Sequence, residues 1–128
     1  MLRKMIQLAH QQQGQALVEF FVVLPFLLLI VAGIMDFGRV YHQFLLANEA
    51  VRDGVRRAAV GTTFADIQTA VQTYDSSFTV EVSPNAPVTG QAVTVTVRGS
   101  VTIMTPIISA FFSSNPYPVI AAATMQVE

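Results

Sequence analysis

The 128-residue chain has no cysteine, which excludes disulfides, thiolate catalysis and zinc sites built on cysteine. It is also poor in charge, with 12% charged residues against roughly 25% in ordinary soluble domains. The net charge is −1 and no stretch concentrates one sign. A nucleic-acid partner would need a concentrated basic face, so none is expected. Histidine is scarce: His10 and His42 have no acidic or histidine partner four residues away, and no metal site is expected. Ser76-Ser77 and Ser113-Ser114 stand in turn-like contexts with no histidine nearby, where loop solubility explains them. No phosphate-cradling glycine loop is present. These gaps together predict no catalytic residue, no cofactor, no small-molecule substrate and no enzymatic activity.

Apolar residues are abundant, at 52%. A domain of this size buries only about 60–70% of its surface, so part of this content is assigned to lipid. Residues 16–35 read ALVEFFVVLPFLLLIVAGIM. As a helix they span about 30 Å, the thickness of a bilayer core. Before them stands MLRKMIQLAHQQQG, with Arg3 and Lys4 and no acid. After them the charges are mixed: Asp36, Arg39, Glu49, Arg52 and Asp53. Positive charge before the first span predicts a cytoplasmic N-terminus and an exported C-terminal part. An ordinary secretory signal fits less well. The apolar run exceeds the usual 7–15 residues, and Val31-Ala32-Gly33-Ile34 is a poor cleavage site.

Two residues inside the run are unusual. Pro25 removes a backbone hydrogen bond and is expected to kink or loosen the turn before it. Glu19 is a carboxylate whose insertion costs about 2.5–3.5 kcal/mol at mid-membrane and less near the end. One reading has Glu19 reaching lipid headgroups. A sharper one gives it a cation within the apolar layer. A cut after Gly14 would create an α-amino group at Gln15, one helical turn from Glu19. In a bundle of identical helices that amine could pair with a neighbour's Glu19 and fix the axial register. Asp36 and Arg39, three apart, form a candidate ion pair at the membrane edge.

Gly14-Gln15-Ala16-Leu17-Val18-Glu19-Phe20, then Leu24-Pro25, then Asp36-Phe37-Gly38-Arg39, resembles the TadE-like proteins of tight-adherence (Flp-type) pilus systems. The stretch Ala47-Asn48-Glu49-Ala50-Val51-Arg52-Asp53-Gly54-Val55-Arg56-Arg57-Ala58-Ala59 is similar to them too, and Ala123 to Glu128 resembles their usual ending. The resemblance implies a prepilin-like leader cut after Gly14 by a membrane prepilin peptidase, and a role as a minor pilin or pseudopilin.

Beyond the span, Phe37, Val40, Tyr41, Phe44, Val51, Val55 and Ala58 recur at helical spacing, so the helix is expected to continue to Gly61 as C-terminal cap. A helix over 16–60 would be about 68 Å long, and its outer half must lie against something, here the domain's own sheet. Asp53 and Arg57 are spaced as a favourable i,i+4 pair. Arg52, Arg56 and Arg57 make a small basic patch offset by Glu49 and Asp53. Thr63-x-x-Asp66 predicts a cap for a second helix over 64–74. The period then changes to two: Phe78, Val80 and Val82, and later Val93, Val95 and Val97, predict half-buried strands joined through residues 84–90. Gly99 suggests a bulge. Residues 105–118 hold Pro106, Pro116 and Pro118 and read as a loop with one apolar turn at 107–112, whose Ile107-Ile108 and Phe111-Phe112 are assigned to the core. Residues 119–127 make the last strand of a three- or four-stranded meander.

The expected fold is α+β: a long N-terminal transmembrane helix plus a small antiparallel β-meander domain, pilin-like. The expected division is a leader (1–14), the transmembrane and extended helix (15–60) and an exported domain (61–128). The expected function is that of a structural or assembly subunit, with membrane lipid, a prepilin peptidase and other pilin subunits as partners. It would reside in the inner membrane, or in an extracellular pilus once assembled. The alternative is an uncleaved single-pass anchor whose outer domain binds an envelope or secretion component.

Overall fold

In a computed structural model the backbone is described from Leu2 onward and the side chains from Gly14 onward. Residues 1–13 of the expected leader, with Arg3, Lys4 and His10, lie outside the residues whose side chains are described. The order of elements is α1 (Leu2–Ala59), α2 (Phe64–Gln72), β1 (Thr79–Ser83), β2 (Ala92–Val101), α3 (Pro106–Ser109) and β3 (Tyr117–Gln126). This is the expected α+β arrangement, a long apolar helix with a three-stranded antiparallel sheet. The chain divides into two compact units, Met1–Met35 and Asp36–Glu128. The division falls inside α1 because the half from Asp36 onward belongs to the sheet's hydrophobic core.

Local signals set the element ends. Thr63 caps α2: its hydroxyl accepts from the Asp66 N–H at 3.3 Å and donates to the Asp66 carboxylate at 2.6 Å. Helix α1 stops at Gly61, which adopts φ +75°. The Gly61 N–H donates to the Ala58 carbonyl and the Thr62 N–H to the Arg57 carbonyl, each at 3.1 Å. That crossed pair satisfies carbonyls that the helix end would otherwise orphan, and glycine takes the left-handed turn without strain.

The sheet is a simple meander in the order β1-β2-β3. Its alternation sorts side chains between two faces. Val80 opposes Val97 and Val82 opposes Val95 across β1 and β2. Val95 opposes Ala123 and Val97 opposes Ala121 across β2 and β3. On the opposite face Thr94 and Thr124 share a 2.8 Å hydroxyl hydrogen bond, and Arg98 reaches Glu81 at 3.4 Å.

The valine face packs on α1. The buried line on the helix is Ala47, Ala50, Val51, Val55 and Ala58, with Ile67 and Val71 of α2 beside it. Phe37, Tyr41 and Phe44, expected in the same stripe, are exposed instead. The small side chains win the buried positions because they let helix and sheet approach closely. At Gly54 an added Cβ would lie 3.3 Å from both Val71 and Val95.

Gly99 makes no bulge. Its register is unbroken, pairing with Val119 between Arg98 opposite Ile120 and Ser100 opposite Pro118. The glycine is needed because the fully buried Phe78 ring lies over it, where a Cβ would fall 2.6 Å from the ring. Gly99→Ala should therefore overpack the core and cost about 1–3 kcal/mol. Chemical unfolding of the variant in detergent micelles checks this, and a variant as stable as the parent would show that the ring has room to move.

Candidate functional site

In the N-terminal unit, the described side chains of α1 from Gly14 to Met35 point mostly outward. Leu17, Phe20, Phe26, Leu28, Ile34 and Met35 are each at least 59% exposed. Helix Gly14–Ala59 is long and apolar enough to cross a membrane, and none of its most apolar window is buried within the protein. Such a surface is costly in water and fits a membrane anchor. The helix assignment continues through Pro25, although proline has no N–H to offer the preceding turn. Gly14, Gln15, Glu19 and Pro25 are all exposed. Gln15 and Glu19 stand four residues apart on this helix, a rise of about 6 Å.

In the second unit, Asp36 takes a role that the sequence did not suggest. Among the described residues it is the buried charged one, 4% exposed. Its carboxylate accepts from the Thr105 N–H at 2.9 Å and from the Met104 N–H at 3.3 Å. A buried carboxylate needs such donors, and these two amides have no strand partner of their own. The expected ion pair with Arg39 is not formed. Among the described residues the ion pairs are Arg57 with Asp53 at 3.2 Å and Arg98 with Glu81 at 3.4 Å. Amide donors engage Asp36 because its side chain turns toward the segment after β2, whereas Arg39 lies on the exposed side of the helix.

A second polar tie joins α1 to the segment between α2 and β1. Gln43 donates through Nε2 to Asp75 at 2.6 Å, and the other Asp75 oxygen accepts from the Ser77 N–H and hydroxyl at 2.8 and 2.6 Å. The Gln43 hydrogen bond, followed by those from Ser77, holds the Asp75 carboxyl below its ordinary value of 3.8, against a smaller upward push from burial. A third tie is Asn115, which donates to the Ile103 carbonyl and accepts from the Ile103 N–H, both at 3.1 Å. Polar residues beside apolar runs were the signal for all three ties, but their partners lie 12 to 69 positions away in sequence.

A groove of about 590 Å³ between the end of α1, α2 and the loop after β1 is lined by Phe64, Ile67, Val82 and Pro87 among others, with no charged side chain. A second groove holds both signs of charge, with Glu49 and Asp53 beside Arg52 and Arg56. The arginine patch is thus offset by acids. Among the described residues no cluster of His, Asp or Glu has the makings of a metal site.

The features so far define an α+β protein with a candidate membrane-spanning helix that carries one carboxylate, Glu19, among its apolar residues. The family model described as TadE-like protein matches residues 14–56, about a third of the chain. That match agrees with the TadE-like resemblance carried by the same stretch of sequence. No curated protein and no solved structure matches the chain.

Two outcomes follow from the polar ties. Asp36→Ala should speed amide exchange at Met104 and Thr105 by roughly an order of magnitude, with Asp36→Asn in between, as read by hydrogen–deuterium exchange. Asp75 has a depressed folded pKa. Its contribution to stability is therefore fully present above pH 3.8 and is lost as the pH falls through the folded value. Asp75→Asn should lower the melting temperature by a few degrees at pH 7 and flatten the acid limb of the stability profile. Parallel acid limbs for the two proteins would contradict this assignment.

Proposed function

We propose that this chain is a non-enzymatic structural or assembly subunit of a tight-adherence-type pilus or its secretion machinery. It enters the inner membrane by α1, with its N-terminus cytoplasmic and the sheet domain exported. A prepilin peptidase removes residues 1–14 between Gly14 and Gln15. The new amine then meets Glu19 of a neighbouring pilin helix. The observation that carries this reading is the helix itself: an exposed apolar surface with one carboxylate a single turn inside its start. The TadE-like match, which begins at Gly14, supports the same reading.

Helices in lipid gain little from hydrophobic contact with one another, so polar register and close packing govern their assembly. Glu19 supplies the register, and Pro25 and Gly33 shape the packing surface. An unpaired Glu19 would have to reach headgroups instead, as an uncleaved anchor requires.

Intact mass and N-terminal sequencing of the protein from its native membrane test the proposal. A chain beginning at Gln15 is the expected result, and a Glu19→Gln variant should be processed normally yet fail to join the assembly. A chain retaining its leader residues would replace the proposal with the uncleaved anchor. Normal assembly of Glu19→Gln would remove the pairing while leaving the cleavage.

A further inference from the structure

The segment between β2 and β3 is well tied down, yet it turns apolar side chains to the outside. Asn115 clamps Ile103 on both its backbone groups. The Ser109 N–H closes a turn onto the Thr105 carbonyl at 2.9 Å, and Phe112 packs edge-on against Tyr117 at 5.2 Å. The backbone is therefore ordered by its own hydrogen bonds. Met104, Ile107 and Phe111 nonetheless remain 66%, 60% and 86% exposed. Ile107 lies in α3, and Met104 and Phe111 flank that helix at its two ends. This corrects the expectation that Ile107 and Phe111 belong to the core.

The segment is also tied to α1. Met104 and Thr105 donate to Asp36, the residue directly after the apolar run 16–35. The exposed turn is thus tied to the residue that follows the apolar run in sequence. Phe37 and Tyr41, the next exposed aromatic residues of α1, stack with ring centroids 6.5 Å apart. Aromatic rings are favoured at the depth between hydrocarbon and headgroups. No charged side chain stands between Arg98 and Glu128, so no charge in the segment resists entry into lipid.

We propose that Met104, Ile107 and Phe111 form a second membrane contact, dipping into the lipid leaflet on the domain's side. The sheet domain is then held on the bilayer at two points, α1 and this turn, and cannot swing freely about the helix. The proposal rests on the reading that residues 16–35 cross the membrane. A lipid occupant is favoured over a second copy of the chain because the turn is tied to the residue that follows the apolar run and carries no charge or buried polar group to specify a protein partner.

The chain has no tryptophan, so single tryptophans report cleanly. Three variants of the full chain are reconstituted in phosphatidylcholine bilayers with and without lipids brominated along their acyl chains. Phe111→Trp probes the turn. Val88→Trp is the control, 65% exposed in the loop at the opposite end of the sheet. The ten-residue strands β2 and β3 separate the two loops by about 30 Å. Leu28→Trp probes the span. Each replaces an exposed side chain, so packing is undisturbed, and each carries the same ring, so the ring's own affinity for the interface is controlled. The expected result is blue-shifted emission, strongly quenched by bromolipid, at positions 28 and 111 and water-like emission at 88. Water-like emission at 111 with quenching at 28 overturns the second contact and leaves the span intact. Absence of quenching at 28 overturns the span and the contact together. Shielding at 111 that ignores bromolipid and grows with protein density assigns the face to a second copy and overturns the lipid reading.

Discussion

Everything outside the apolar run depends on the seam between α1 and the valine face of the sheet. Three antiparallel strands are close to the lower limit for stability, and they need a helix across one face. Val93, Val95 and Val97 are fully buried only because Ala47, Ala50, Val51 and Val55 come down on them. The helix residues are small because the approach is close, as the tight fit at Gly54 shows. Helix α2 closes the remaining side with Ile67 and Val71. One continuous helix thus offers lipid-compatible side chains along one length and a finely stepped packing surface along the next.

Polar residues are spent at the margins of this seam. Asp36 at one end and Gln43 further along each connect α1 to a distant segment through charge-assisted hydrogen bonds. At the far end, the Glu128 N–H donates to the Ala59 carbonyl at 3.2 Å. These contacts fix which part of the sheet faces which turn of the helix, a choice that valine and alanine alone would leave loose.

What was legible in the sequence was local. The Thr63 cap, the Gly61 stop, the i,i+4 pair of Asp53 and Arg57 and the period-two strands all depend on neighbours a few positions away, and each appears as expected. The apolar run and Glu19 were equally plain, since composition alone marks them. The misreadings share another cause. Asp36 was paired with Arg39 because the nearest cation was visible and the amide of Thr105 was not. Gly99 was read as a bulge because nothing nearby announces that the Phe78 ring lies over it. Phe37 and Phe44 were preferred to Ala47 and Ala50 for the seam because large apolar residues are the usual core, whereas close approach favours small ones. Ile107 and Phe111 were placed inside for the same reason.

The alignment of α1 with the strands also decides how the domain carries load. The helix is tied to the segment after β2 at Asp36 and to the end of the chain at Ala59, so it runs along the length of the strands. Consider a pull applied at Asp36 along the helix axis. It acts on the whole alanine and valine seam in shear, so that many contacts resist at once. The same pull directed sideways would peel them apart one turn at a time. A domain packed this way resists a pull along its helix better than one directed across it.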